Sequence, residues 1–218
     1  MLMSHSHEHE TKDGSIKFGL VLNSLYTIVE FGFGIFTGSL ALIADATHNL
    51  TDTFTLSVSY GANRLARREA NESKTFGYGR ATILAALLNA SVMIAVAVFI
   101  AFEAIRRLQQ PVEIEGGIVA IVALVGIVVN GSIAYVLYKR RQDLNMRSAF
   151  IDMLFDTLSS LGAVIAGLIM LFTDVLYVDS LVGLLIAGLL LYNSLKILTE
   201  AIQILLEGTP RGLDVSAI

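Results

Sequence analysis

The sequence predicts an all-α membrane protein with six transmembrane helices and both termini on the cytoplasmic side. Of its 218 residues, 55% are hydrophobic and 16% are charged, and the mean hydropathy is +0.70. An average soluble domain is about 25% charged. The apolar residues form six long runs, and none alternates with the period of two that a β-barrel requires. A soluble protein is the alternative class, but too little polar sequence exists to cover its core.

Each apolar run is long enough to cross ~30 Å of hydrocarbon as an α-helix that rises about 1.5 Å per residue. Pro111 falls between the third and fourth runs and Pro210 follows the sixth, so proline interrupts none of them. In chain order the runs cover residues 16–37, 40–64, 79–105, 116–138, 148–172 and 177–204.

The distribution of basic residues predicts the orientation of the helices. With six spans, both termini share one side with the connections between helices two and three and between helices four and five. That side carries thirteen of the fifteen Lys and Arg residues, and only Arg106 and Arg107 lie on the other. Because basic residues remain on the cytoplasmic side, we expect cytoplasmic termini. We also expect a multi-pass protein of the cell, or inner, membrane that binds the lipid bilayer and no nucleic acid.

The two ends of the chain are polar. Residues 1–15 lack the apolar core of a signal peptide. They carry His5, His7 and His9, which could capture a divalent cation loosely or belong to a disordered tail. We therefore divide the chain into a tail at 1–15, a transport domain at 16–210 and a short tail at 211–218. The absence of cysteine excludes disulfides and thiolate metal sites.

Ionisable residues inside the apolar runs are the strongest functional signal. Each costs about 2.5–3.5 kcal/mol on insertion scales, so each needs a reason to be there. The runs at 79–105, 116–138 and 177–204 have no charge in their central parts. The candidates are Glu30, Asp45, His48, Asp52, Asp152 and Asp156.

Four of these residues predict a metal site. His48 and Asp52 are four apart on the second run, as are Asp152 and Asp156 on the fifth, so each pair projects from one helix face. Antiparallel packing of the two helices would bring one imidazole and three carboxylates together. Three anions alone would repel each other, whereas zinc accepts nitrogen and oxygen ligands in a tetrahedron. The alternative is two unrelated polar pairs that face internal water or other helices.

The same four residues favour coupling to protons. Each ligand must be deprotonated to hold a metal, so metal and protons compete for the site, and histidine titrates near neutral pH.

Asp45 lines an outer path or faces water near a helix end, and Glu30 lines the cavity or pairs with a neighbour. We expect four buried amides to form hydrogen bonds between helices rather than to bind metal: Asn23, Asn89, Asn130 and Asn193.

Four motifs resemble those of the cation diffusion facilitator family of divalent-metal/proton antiporters, and the resemblance covers nearly all of residues 16–210. The motifs are Gly38-Ser39-Leu40-Ala41-Leu42-Ile43-Ala44-Asp45-Ala46-Thr47-His48-Asn49-Leu50-Thr51-Asp52, Phe76-Gly77-Tyr78-Gly79-Arg80, Asn145-Met146-Arg147-Ser148-Ala149-Phe150 leading to Asp156, and Leu205-Leu206-Glu207-Gly208-Thr209-Pro210.

The resemblance implies six transmembrane helices, cytoplasmic termini, a homodimer and export of metal from the cytoplasm. Matched by position, its tetrahedral site is His48, Asp52, Asp152 and Asp156. The expected function is efflux of a divalent cation, most readily Zn²⁺, by proton antiport, with the metal as cargo and no cofactor. The alternatives are a metal-binding receptor or scaffold that does not transport, and an intramembrane metal-dependent hydrolase. No separate nucleophile or general base accompanies the four ligands, so we expect no enzyme.

Two departures from the family pattern bear on these expectations. Zinc-transporting members usually have histidine at the position of Asp152, and an oxygen ligand there makes Cd²⁺, Fe²⁺, Co²⁺ and Mn²⁺ alternatives to Zn²⁺. Members usually continue into a soluble cytoplasmic domain, whereas this sequence ends at Ile218. We therefore expect either a truncated or a naturally short chain, whose dimer would rest on the membrane helices.

Overall fold

The computed structural model describes residues 5–67, 74–75, 77–139, 144–173 and 175–208. Its architecture is helical, which confirms the all-α prediction for these ranges. The helices are α1 (His5–Thr37), α2 (Leu40–Ala66), α3 (Ala81–Gln109), α4 (Gly116–Tyr138), α5 (Leu144–Phe172) and α6 (Tyr177–Leu205).

The helices follow the apolar runs closely and differ mainly where polar residues continue a helix. The fourth run and α4 have the same limits. By contrast, α1 begins at His5, eleven residues before the first run, and α3 continues to Gln109 through Arg106 and Arg107. Hydropathy marks where the chain becomes apolar, and a helix can begin before that point.

Four helices, within the part of the chain described, are long and apolar enough to cross a membrane. They are Ala81–Gln109, Gly116–Tyr138, Ala149–Phe172 and Tyr177–Leu205, and the apolar part of α1, Val21–Thr37, is shorter. Less than half of each of the four apolar windows is buried inside the chain. A helix that is apolar on all sides and is not covered by the rest of the chain needs another apolar environment, such as the interior of a lipid bilayer. The α2 helix is not in this group, and it carries Asp45, His48 and Asp52.

The described residues group into two compact units. The first is drawn from Met1–Leu50 and Ile100–Ile186, and the second from Thr51–Phe99 and Ala187–Ile218. Within the first unit, α4 packs extensively against α5 and less extensively against α1. Its core consists of buried apolar side chains from α2, α4, α5 and the segment before α4: Ala41, Leu42, Ile114, Val119, Val122, Ala123, Ala163 and Met170.

Glycine allows α4 and α5 to approach closely at one end of their interface. A Cβ atom on Gly116 would lie 2.5 Å from the carbonyl oxygen of Gly167, and one on Gly167 would lie 2.6 Å from the amide nitrogen of Ala120. Backbones in such contact gain van der Waals packing, which drives helix pairing where lipid provides no hydrophobic force. The structure thus gives these two glycines a specific role.

The second unit contains the C-terminal part of α6, from Ala187, and the residues that end this helix. Gly208 donates its amide to the carbonyl of Gln203, and Glu207 donates to Ile204, in the pattern of a Schellman motif. Glu207 therefore adopts the left-handed conformation, at a φ of 56°. Its carboxylate forms an exposed ion pair with Arg80, which joins the end of α6 to the segment before α3.

Candidate functional site

The four predicted metal ligands differ in their surroundings. On α5, Asp156 is 3% exposed whereas Asp152 is exposed. On α2, His48 is half-buried. Asp52 continues the same helix in the second unit, and its side chain lies outside the described residues. The structure therefore places three of the four residues on the predicted helices of the first unit.

The described side chains do not by themselves form a metal centre. Among them, no three His, Asp or Glu residues gather closely enough to hold a metal ion. The predicted set includes Asp52, whose side chain lies outside the described residues. The four-residue site stays a prediction.

Four side chains from three helices do meet inside the first unit, and we call them the acid cluster: Tyr26, Glu30, Asp45 and Ser160. The Tyr26 hydroxyl donates to Glu30 Oε1 at 2.9 Å, and the Ser160 hydroxyl donates to Asp45 Oδ2 at 3.2 Å. The carboxyl groups of Glu30 and Asp45 are close enough to interact electrostatically. Glu30 is 0% exposed and Asp45 is 2% exposed, so the cluster is sealed from the protein surface.

The acid cluster shows which of the environments expected from the sequence Glu30 and Asp45 have. Asp45 is buried, so the expectation that it might face water is wrong, because α1 and α5 cover it with Glu30 and Ser160. Glu30 pairs with neighbours, as one alternative held, and Tyr26 one turn earlier on α1 is the main partner. Glu30 is within electrostatic range of Asp156, and Asp45 is within range of His48.

Asn130 on α4 does not behave as the sequence suggested. It is 0% exposed, and neither its amide nitrogen nor its oxygen has a hydrogen-bond partner among the described groups. An unpaired buried amide is costly, at about 1–3 kcal/mol. The expected hydrogen bond between helices is therefore missing, and the side chain is available for another polar group.

A second polar site joins the turn between α1 and α2 to the first turn of α6. Asp179 accepts hydrogen bonds from the Ser39 hydroxyl at 2.5 Å, the Leu40 amide at 2.7 Å and the Ala41 amide at 3.4 Å. Ser39 in turn accepts from the Leu42 amide at 3.2 Å. Together they satisfy the first free amides of α2, and the negative charge lies at the positive end of the helix dipole.

Arg107 holds the same turn from α3. It donates to the carbonyl of Gly38, and it also donates to Glu103 Oε1 at 2.8 Å. Gly38 has a φ of 72°, which the left-handed turn needs and a side chain would resist. The turn is thus fixed by an anion from α6 and a cation from α3.

Three of these residues were not predicted from the sequence. Tyr26 precedes Glu30 by four residues, and side chains at this spacing contact each other on a helix. Asp179 was not predicted, because it lies near the start of its apolar run and a charge is most costly, and so most informative, in the middle of a run. Its place in the first turn of α6, opposite a Ser39 that begins α2, was the available signal. For Ser160, no local pattern reveals that its partner lies on α2.

Comparison with known proteins gives a consistent result along the whole chain. Residues 16–206 match the family described as the cation efflux transmembrane domain. The chain is 34% identical to the cadmium, cobalt and zinc/H(+)-K(+) antiporter of Bacillus subtilis, over 99% of this chain and 70% of the relative.

Two further relatives show similar identity. The metal cation efflux system protein CzcD of Cupriavidus metallidurans is 36% identical over 98% of this chain and 68% of its own length. The zinc transporter ZitB of Pectobacterium atrosepticum is 37% identical over 99% and 69%, respectively. All three names describe movement of metal ions.

Proposed function

The chain belongs to the cation efflux family, and from this premise we propose that it exports a divalent metal ion across a membrane in exchange for protons. Membership confirms the resemblance drawn from its motifs. The chain is an integral membrane protein and a transporter rather than an enzyme. The hydrolase alternative is thereby set aside.

The observation that carries the proposal is the burial of Asp156 in an otherwise apolar stretch of α5, in the same unit as His48. Asp156 is 3% exposed. A buried carboxylate in a membrane helix is costly unless it is paired, protonated or bound to a cation. In a cation efflux protein, a transported cation would offset part of this cost whenever it occupies the site.

We assign the cargo to His48, Asp52, Asp152 and Asp156. The i, i+4 spacing of each pair supports this assignment. The exposure of Asp152 is compatible with it, because a transport site must open to water for the metal to enter and leave. Each ligand has to lose its proton before it binds, so metal uptake releases protons and proton uptake releases metal.

Zinc is the first candidate for the cargo. The relatives are named for cadmium, cobalt and zinc, and a site with one imidazole and three carboxylates accepts each of these ions. Because Asp152 contributes an oxygen, Fe²⁺ and Mn²⁺ are also candidates. The receptor or scaffold alternative would share the binding and lack the transport.

The remaining topology is part of the same proposal. We place both termini in the cytoplasm, because most basic residues lie on that side. We count α1 and α2 with the four apolar helices, which gives six spans. A homodimer formed through the membrane helices, in the cell membrane, completes the arrangement.

The test is metal flux in sealed proteoliposomes with an imposed pH gradient. Wild-type protein should accumulate Zn²⁺ when the gradient is present and stop when it collapses. Asp52→Ala and Asp156→Asn should abolish accumulation, because each removes a charged ligand. Glu113→Gln, at an exposed position between α3 and α4, is the matched control and should transport normally.

Two results would contradict the proposal. Full accumulation by both ligand variants would show that the metal is carried elsewhere. Binding of Zn²⁺ to the wild type without any flux, at several pH gradients, would favour a receptor or scaffold instead. Parallel assays with Cd²⁺, Co²⁺, Fe²⁺ and Mn²⁺ establish the selectivity.

A further inference from the structure

The start of α2 is bound by polar groups of two other helices. Asp179 on α6 accepts hydrogen bonds from the Ser39 hydroxyl at 2.5 Å and from the Leu40 amide at 2.7 Å. Arg107 on α3 donates to the carbonyl of Gly38. With a glycine of α6 that packs on the same turn, these residues form what we call the α2 anchor: Gly38, Ser39, Leu40, Arg107, Asp179 and Gly183.

Close backbone packing accompanies these hydrogen bonds. A Cβ atom added to Gly183 would lie 2.8 Å from the Cβ atom of Leu40 and 3.1 Å from its carbonyl carbon, so α6 touches the backbone of α2. From α1, a Cβ atom added to Gly34 would lie 3.1 Å from the amide nitrogen of Ile43. Because contacts this tight leave no free space, the start of α2 cannot slide without displacing both neighbouring helices.

Opening the α2 anchor would be costly. Asp179 and Ser39 are 0% exposed, and Leu40 is 2% exposed. Separation of α2 from α6 would leave a buried carboxylate and backbone amides without partners, and a buried charge that loses its partner is strongly destabilising. A conformational cycle connects states that differ little in free energy. We therefore expect the cycle to use motions that leave this anchor closed.

The division of the chain into two compact units agrees with this expectation. The helices α2, α3 and α6 each belong to the first unit only over the part that carries the α2 anchor, at residues 40–50, 100–109 and 177–186. Their remaining residues belong to the second unit. The anchored ends are thus grouped with α1, α4 and α5, and His48 lies within the anchored part of α2.

We propose that Asp179 is a positioning residue for transport, which keeps the α2 anchor closed in every state of the cycle and thereby holds His48 in place. His48 follows Ser39 by nine residues, which is about 13.5 Å along a helix, so the axial position of one fixes that of the other. The inference rests on the transport proposed above. It adds that the access of metal to the site changes without movement of this end of α2.

Thiol labelling during transport is the direct test. The chain has no cysteine, so Leu40→Cys places a single buried thiol in the α2 anchor and leaves the side chains of Ser39 and Asp179 unchanged. We expect a water-soluble maleimide on both sides of the membrane not to label it in proteoliposomes at rest, loaded with Zn²⁺ or transporting under a pH gradient. Glu113→Cys is exposed and should be labelled in all three conditions.

A disulfide across the α2 anchor provides the second test. The side chains of Ser39 and Asp179 are in contact, so oxidation can join the two thiols of Ser39→Cys/Asp179→Cys. The reduced form lacks the carboxylate, so its KM for Zn²⁺ should rise severalfold at unchanged binding stoichiometry. Oxidation should return the KM toward the wild-type value, and the cross-linked form should still transport. A role in folding alone would change the midpoint of unfolding without this reversible change in KM.

Two results would overturn the inference: labelling of Leu40→Cys when Zn²⁺ or the pH gradient is applied, or transport by the double variant that stops on oxidation and returns on reduction. Either result would show that α2 leaves α6 during the cycle. If the double variant does not fold, the labelling of Leu40→Cys decides alone, with its Zn²⁺ flux measured in the same vesicles. Wild-type protein that carries no Zn²⁺ under any pH gradient would instead overturn the proposed transport.

Discussion

Asp179 stabilises the start of α2 from a different helix. Its carboxylate accepts hydrogen bonds from Ser39, Leu40 and Ala41, and it is 0% exposed. A helix begins with amides that lack partners within the helix. At this end of α2, a residue distant in the sequence supplies those partners, so the position of α2 depends on α6.

Replacing Asp179 by alanine should therefore destabilise the protein. Hydrogen bonds to a charged group contribute about 1.5–3 kcal/mol, and their loss leaves buried amides unpaired. We expect the free energy of unfolding to fall by about that amount, measured as a lower midpoint of unfolding in detergent. Glu113→Ala, which is exposed, is the control. A midpoint for Asp179→Ala equal to that of the control would contradict this role.

Asp152 should influence the choice of metal. In the proposed site, Asp152 provides an oxygen ligand at the position where the family resemblance implies histidine in zinc-transporting members. Asp152→His replaces a hard ligand by a borderline one. We expect the ratio of Zn²⁺ to Mn²⁺ transport to rise, in a competition assay with both ions present. An unchanged ratio would show that Asp152 is not a ligand.

At the scale of elements, the close contact of α4 with α5 depends on two glycines. Because an added methyl group on Gly167 would overlap the backbone of α4, Gly167→Ala must push the helices apart. Overpacking of this kind costs about 1–3 kcal/mol.

Gly188 on α6 provides a matched control, since an added Cβ atom there meets no other atom within 4 Å. We expect Gly167→Ala to lower the midpoint of thermal unfolding in detergent. Gly188→Ala should leave the midpoint unchanged or raise it slightly, by the higher helix propensity of alanine. Equal midpoints for the two variants would mean that the α4–α5 contact contributes little.

At the scale of the molecule, hydropathy predicted most of the helices because the apolar runs are long and bounded by charge. For α4, Glu115 and Lys139 flank the run, and the helix ends where the run ends. The early start of α1 at His5 escaped prediction, because a polar sequence can also form a helix.

The site was predictable only in part. The cost of burying charge identified Glu30, Asp45 and Asp156 from the sequence alone, and all three are buried. The spacing of four residues could have revealed Tyr26 as the partner of Glu30, because both lie on α1. Ser160 was not predictable, because its partner Asp45 lies on another helix. Spacing along one helix gives no distance to another, and the assembly of the four metal ligands therefore remains a prediction.

X-ray absorption of the zinc-loaded protein tests the central claim most directly. The chain has four histidines, so replacing His5, His7 and His9 by alanine leaves His48 as the sole imidazole. We predict four nitrogen or oxygen ligands at about 2.0–2.2 Å, with the scattering of a single imidazole. Asp52→Ala in the same background should lose that signal. A zinc spectrum without imidazole scattering, or one that Asp52→Ala leaves unchanged, would contradict the account.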